Sequence, residues 1–339
     1  MRSLVLLALF ALLLTATLVF AAPSAPSRAQ IIVFSNSAPH ISVIDGQTHQ
    51  VIKTANIPQP LVWGWNDDNS YYDGTYLWLS VRNPDTNAAE VVLLNPDTLQ
   101  IERRIPIGQE SGGLFMGKPS RTGRIFVAKF AAAELIAIDA STYDVVQTLK
   151  LPVNGGVACD VEVARGADGK ERAYVPTMAG NTVVVIDTST LKVQETLRFE
   201  GTRPWMVTAT PDGRRLWIQE QTGNANVIVN TTSLQIVERV PAAQAPDTGT
   251  FSPDGKLHFT GHFTNGFVVA NETDTFREVW RTQSGANSRT LGVHPAGTFV
   301  YAIMSSEGGV AVLEAATGRL VTRVALGTNP VGLFVRRLN

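Results

Sequence analysis

One cysteine, Cys159, stands in 339 residues, so no disulfide can form within the chain. A lone thiol in an apolar stretch reads as a small buried side chain rather than a nucleophile. Charge is scarce as well. Asp, Glu, Lys and Arg make up 17% and the formal net charge is −1, which excludes a surface given over to nucleic acid or anionic lipid. The Gly-x-Ser-x-Gly elbow of a serine hydrolase is missing. The five histidines form no metal set. His258 and His262 lie four apart in "HFTGH" and could share an ion on a helix. On a strand they stand about 13 Å apart, at ~3.3 Å per residue, against metal–nitrogen bonds of ~2 Å. His40, His49 and His294 fall at turns of separate repeats. No metal and no cofactor is expected.

Long hydrophobic runs are also lacking, with one exception. Arg2 precedes an uncharged, largely apolar run over residues 4 to 20, and "AAPSAPSRAQ" follows. A basic start, an apolar middle and small residues at the end describe a secretory signal peptide over residues 1–29. Val19-Phe20-Ala21 and Ser27-Arg28-Ala29 are the two candidate cleavage sites. The alternative is an uncleaved anchor, since the run is near the lower limit for a membrane span. No cysteine follows the run, which excludes a lipid-anchored lipoprotein. Both readings export residues 30–339 to the periplasm, the cell surface or the medium, and membrane contact is expected only through an uncleaved N-terminal segment.

What the chain has in abundance is one hairpin. "VVVIDTSTLKVQETLRF" (183–199) recurs as "LIAIDASTYDVVQTLKL", "VVLLNPDTLQIERRIPI" and "NVIVNTTSLQIVERVPA". Its first strand is continuous and β-branched, as in Val183-Val184-Val185-Ile186, which suits a strand buried on both faces. Its second alternates, with Ile101, Ile105 and Ile107 against Glu102 and Arg104, which suits an outer edge. Between them Asp or Asn followed by Ser or Thr stabilises a tight turn. Anchored on Asp45, Asn95, Asp139, Asp187, Asn230, Asn271 and Glu314, the hairpin occurs seven times at spacings of 41 to 50 residues, room for four strands each. Upstream lies a second hairpin, turning at Pro-Asp-Gly (211–213, 253–255), Pro-Ala-Gly (295–297) or Ala-Asp-Gly (167–169). The first repeat lacks its inner strand, and "NPVGLFV" (329–335) has no repeat after it. The expected fold is therefore all-β: a single seven-bladed β-propeller of four-stranded antiparallel blades over residues 30–339, closed by the C-terminal strand completing the N-terminal blade.

With those residues in view, the chain resembles the YVTN family of exported bacterial and archaeal propellers over residues 31 to 339. "GTRPWMVTATPDGRRLWIQE" (201–220) and "GTNPVGLFV" (327–335) carry the likeness. The Tyr position of the motif holds Trp78, Phe126, Tyr174, Trp217, Phe259 and Tyr301, with Val33 in the remaining blade. The motif's Asn position holds Asn36, Val81, Lys129, Thr177, Glu220, His262 and Met304, so the literal tetrad is nowhere intact. The resemblance implies a propeller outside the cytoplasm. Similar propellers serve as lactonases, lyases and subunits of amine-oxidising quinoproteins, so fold alone assigns no activity.

Loops on one face of such a ring surround the central channel. The residue expected nearest the mouth is, blade by blade, Val331, Leu61, Gly112, Cys159, Trp205, Asp247 and Arg289. An aromatic, an acid and a base thus fall in consecutive blades, with Arg203 and Asn287 beside them and Lys129, Glu220 and His262 at neighbouring strand ends. One reading is a pocket of Arg203, Trp205, Asp247, Arg289, Asn287, Glu220 and His262 for a small anionic or cyclic ligand, or for a peptide. The other is structural: Asp247 and Arg289 pair across neighbouring blades and Trp205 caps the core. Trp63 and Trp65 are expected in the interblade core. Three functions follow in order: a binding propeller for a small ligand or an envelope protein, a lactone hydrolase or lyase, and a structural subunit of a periplasmic redox complex. A monomer is expected.

Overall fold

A computed structural model describes residues 28–38, 40–58, 60–65, 71–153 and 157–338. Residues 1–27, the bulk of the expected leader, lie outside them. The described residues form seven antiparallel sheets. Named from the channel outward, blade 1 is Pro330–Leu338, Arg28–Ser35, Ile41–Asp45 and Val51–Ala55; blade 2 is Val62–Trp63, Leu77–Arg82, Ala88–Asn95 and Gln100–Gln109, with Tyr71–Tyr72 also on Leu77–Arg82. Blade 3 is Leu114–Met116, Arg124–Lys129, Glu134–Asp139 and Val145–Lys150; blade 4 is Glu162–Arg165, Glu171–Thr177, Thr182–Asp187 and Lys192–Arg198. Blade 5 is Pro204–Ala209, Arg215–Glu220, Ala225–Asn230 and Ile236–Pro241. Blade 6 is Pro246–Phe251, Leu257–His262, Phe267–Glu272 and Glu278–Gln283; blade 7 is Ser288–Val293, Phe299–Met304, Gly309–Glu314 and Leu320–Ala325. The expected propeller and its closure are both present.

Turn chemistry builds each blade. Asp187 Oδ1 accepts the backbone N–H of Ser189 and of Thr190, and Asn230 Oδ1 does the same for Thr232 and Ser233. Gly213 ends the inner turn of blade 5 at φ 72°, where a Cβ would lie 2.4 Å from the Arg165 carbonyl oxygen. No other residue fits there. The outermost strand of every blade carries a bulge at the same place, after Val43, Leu93, Ala137, Val185, Ile228, Ala270 and Val312 of its partner. A bulge bends the free edge and spoils it as a template for another strand.

The core lies between blades. Trp78, Phe126, Tyr174, Trp217, Phe259 and Tyr301 are fully buried, each packed on the following blade. Two assignments shift by one residue. In blade 1 the equivalent of these aromatics is Ile32, not Val33, because Gln30 pairs with Asp45 as Arg215 pairs with Asn230; the motif's last position there is Ser35, not Asn36. In blade 6 the turn begins at Glu272, not Asn271, since Leu257 pairs with Glu272 and Phe276 N–H returns to the Glu272 carbonyl. Each slip exchanges the two faces of a strand.

Ring closure rests on eight residue pairs between Arg28–Ser35 and Pro330–Leu338. Ile31 and Val33 pack on blade 7 and Ile32 and Phe34 on blade 2, so one strand joins two interfaces. It takes in Arg28 and Ala29, which the sequence reading left to the leader, and the Ala29 carbonyl accepts Gly46 N–H. Ser35 Oγ and Thr328 Oγ1 bond across the seam at 2.9 Å. Ending the chain before Asn329 should therefore abolish cooperative unfolding, measured by calorimetry. Leu333→Ala alone should cost about 2–5 kcal/mol, a large part of the ~5–15 kcal/mol that holds a domain folded. An unchanged melt in the truncated chain would mean the seam is dispensable.

Candidate functional site

The innermost strands of blades 5, 6 and 7 share an irregularity. Pro204 pairs with Glu220 but the next pair is Val207 with Ile218, so Trp205 and Met206 face one residue. Asp247 and Thr248 occupy the same place in blade 6, and Arg289 and Thr290 in blade 7. Such bulges re-aim side chains. The second residue of the pair tethers the next blade: Thr248 Oγ1 donates to the Arg289 carbonyl at 2.6 Å, and Thr290 Oγ1 to that of Val331 at 3.2 Å. Gly261 allows the approach, since a Cβ there would meet the Arg289 carbonyl at 2.6 Å.

Trp205, Asp247 and Arg289 are thereby brought together around one small cavity of about 10 Å³, close to the room one water needs. Arg289 Nε donates to Asp247 Oδ2 at 2.9 Å. The guanidinium carbon lies 3.8 Å from the ring centre of Trp65 and 4.6 Å from that of Phe263. Two aromatic rings thus lie against the cation. Trp65 stacks on Phe115 at 6.2 Å, and Trp205 meets Phe115 and Phe130 edge-on at 6.1 and 6.2 Å. Asp247 is 1% exposed as a side chain and Arg289 17%. Asp247 Oδ1 has no partner, and among the described residues the Nη groups of Arg289 make no hydrogen bond.

The other expected site residues are elsewhere. Glu220 is buried, bound by Thr202 Oγ1 at 2.6 Å and by both Nη1 contacts of Arg239 at 2.7 and 2.6 Å. Lys129 is buried and paired with Glu134 at 3.0 Å. His262 is fully buried with neither ring nitrogen bonded, and no hydrogen bond joins it to Glu220 or Asp247. These three end second strands, whose side chains face neighbouring blades rather than the mouth. Arg203 is exposed, its guanidinium on Met178 Sδ, and Asn287 is half-buried beside Ser306. Trp63 is in the interblade core as expected, 3% exposed. Trp65 is not. Its N–H bonds the Leu114 carbonyl and its chain bridges to Phe115, so it crosses to blade 3 and stands at the mouth. Phe263 and Phe115 gave no signal in the repeat beyond being apolar.

Two buried histidines mark the interface of blades 5 and 6. His258 stacks on Trp217, ring centres 4.2 Å apart, and its Nε2 has no partner. Burial lowers His258 to about 3 and His262 to about 4 from an ordinary 6.5. Gln219, Asn226 and Thr260 lie in the same interface, Asn226 Nδ2 donating to Thr260 Oγ1 at 3.1 Å. Cys159 is buried, with its thiol pushed up to about 12 by desolvation, and is inert as a nucleophile.

No family model matches the chain, and no curated protein matches it. Solved structures do. The periplasmic gluconolactonase PpgL of Pseudomonas aeruginosa is 15% identical with a TM-score of 0.70, covering 92% of this chain and 99% of its own. A candidate 6-phosphogluconolactonase of Bacteroides fragilis is 12% identical with a TM-score of 0.70, over 94% of this chain and 100% of its own. Hydrazine synthase of Kuenenia stuttgartiensis is 18% identical with a TM-score of 0.62, over 81% and 94%. At these identities the likeness shows the propeller fold. The YVTN resemblance rests on the repeat residues alone.

The histidines predict how stability depends on pH. Unfolded, both titrate near 6.5; folded, near 3 and 4. Above pH 6.5 they change nothing. Below it the unfolded chain binds protons that the folded chain refuses, and each histidine removes up to about 1.4 kcal/mol per pH unit until its folded value is reached. The carboxylates held low by turn hydrogen bonds, such as Asp45 and Asp139, are lost only as pH falls through their lower range. Burial also lowers His49 and His294, so denaturation midpoints should decline from pH 6.5 to about 4.5, and His262→Gln should make the slope shallower. A flat profile would mean the histidines are not held neutral.

Proposed function

We propose that this is an exported binding propeller that holds a small anion at the channel mouth. The carrying observation is Arg289: two aromatic rings against it, Nε on Asp247, and Nη groups that make no hydrogen bond among the described residues. A guanidinium with free N–H groups in a half-dry setting suits a carboxylate. Export is supported by the leader and by the periplasmic location in the name of the Pseudomonas aeruginosa neighbour. Cleavage after Ala21 fits the fold better than cleavage after Ala29, which would remove Arg28 and Ala29 from the closing strand.

The carboxylates around the mouth argue against hydrolysis. Glu110 accepts the N–H groups of Gly112, Ala131 and Ala132, Asp160 accepts that of Val207, and Glu220 is held by Arg239. A general base needs a free lone pair within reach of its proton. Asp247 Oδ1, at the cavity, accepts no hydrogen bond among the described residues, and with the gluconolactonase names of two similar structures it favours lactone hydrolysis as the second reading. A subunit of a redox complex has behind it the likenesses to hydrazine synthase and to the dihydro-heme d1 dehydrogenase NirN.

Asp247→Asn separates the first two. With Asp247 a mere counter-charge, the variant should bind butyrate and benzoate several-fold more tightly by calorimetric titration, because Arg289 loses its competitor. With Asp247 a base, the same change should abolish lactone hydrolysis followed by pH-stat. Arg289→Gln should weaken carboxylate binding at least tenfold while the protein still melts cooperatively. Equal affinity in that variant would move the site away from Arg289.

A further inference from the structure

Trp65 also walls a second cavity, on the side of blades 1 to 3. It measures about 220 Å³ and is lined by Asn36, Trp63, Trp65, Arg82, Gly112 and Gly113 together with a few apolar neighbours. Among the described residues, no aspartate or glutamate lines it. Its polar side chains offer mainly donors. Asn36 Oδ1 is occupied by the Trp63 backbone N–H at 2.9 Å, which leaves the amide Nδ2. Trp63 is 3% exposed and its indole N–H, a donor and nothing else, has no partner. Arg82 gives one Nη1 hydrogen bond to Asn87 Oδ1 at 3.1 Å, and the rest of its guanidinium makes no hydrogen bond among the described residues.

An orphaned buried N–H is costly, about 1–3 kcal/mol, and native structures hold few of them. Replacing Trp63 by phenylalanine would keep the packing on Phe34, whose ring centre is 4.9 Å away, and remove that cost. An unpartnered indole donor beside an amide and a guanidinium, with no carboxylate among the described lining residues, is the pattern of a carboxylate pocket. It repels amines and metal cations by the same account. Gly113 allows the wall to stand so close, since a Cβ there would meet Trp65 Nε1 at 2.7 Å.

Trp65 therefore has a guanidinium stacked on its ring, Arg289, and borders a cavity lined by another, Arg82. We propose that the ligand of the channel mouth is a dicarboxylate, one carboxylate on Arg289 and the other received by Trp63, Asn36 and Arg82. The proposal rests on the reading that the mouth binds an anion and adds the second charge.

Calorimetric titration of the mature protein with straight-chain dicarboxylates from succinate to adipate, and with butyrate as the single-charge control, tests it. One chain length should bind at least tenfold more tightly than butyrate. Arg82→Gln should erase that advantage, bringing the dicarboxylate down to the affinity of butyrate. Trp63→Phe should weaken the dicarboxylate about 5-fold or more while the ligand-free melting temperature holds or rises. If dicarboxylates bind no better than butyrate, or if neither variant alters them while Arg289→Gln does, the second pocket is refuted and the Arg289 site stands. If Arg82→Gln and Trp63→Phe weaken binding and Arg289→Gln does not, the pocket stands and the Arg289 assignment falls.

Discussion

Every blade is a sheet with two apolar faces, and only a neighbouring blade can cover either of them. That constraint governs the molecule. The strand Arg28–Ser35 shows it most directly, with Ile31 and Val33 buried toward blade 7 and Ile32 and Phe34 toward blade 2. A row of blades would leave an apolar face bare at each end, with unpaired strand edges beside it. Closure by Pro330–Leu338 removes both at once. Since the closing strand comes from the far end of the chain, its pairing spans nearly the whole sequence, and the entropy of bringing the ends together must be met by the interfaces it completes.

Closure also creates the site. Seven inner strands converge on one axis, where a regular strand would leave its mouth-side residues pointing at neighbouring blades. Bulges at Trp205, Asp247 and Arg289 resolve this by turning one residue inward. The residue after each is then free to bind the next blade, as Thr248 and Thr290 do. One irregularity thus turns a side chain toward the mouth and fixes its backbone. The Arg289 carbonyl is held by Thr248 of the preceding blade and its side chain by Asp247 of the same blade, so the guanidinium is positioned from blade 6 more than from its own.

Much of this was legible in the residues. Turn chemistry and β-branched runs gave the blades, and the unpaired ends gave the closure. Trp205, Asp247 and Arg289 could be placed at the mouth because they occupy one position of a repeat. Register was legible only to within a residue where both faces are apolar: "IIVF" offers no polar side chain to distinguish Ile32 from Val33, and "ANET" offers two candidates for the turn. Glu220 and His262 misled for a related reason. Polar residues at strand ends read as exposed, whereas here they fill polar gaps between blades. Trp65 was illegible in principle, because its role depends on a chain that leaves blade 2 after a two-residue strand and pairs with blade 3.

The energetics of Arg289 point the same way. Removing a guanidinium and a carboxylate from water costs several kcal/mol per ion, and their attraction often does no more than offset it. Two aromatic faces add about 0.5–2 kcal/mol each. Against that stand, among the described residues, a carboxylate oxygen with no partner and Nη groups left unbonded. An apolar trio at the same three bulges would pack the mouth at lower cost, since buried ion pairs are commonly replaced by hydrophobic residues without loss. The ring does not need this pair to stay closed, because the tethers run through Thr248 and Thr290. What the pair supplies, and an apolar plug would not, is a fixed positive charge with open hydrogen-bond directions at the one place where all seven blades meet.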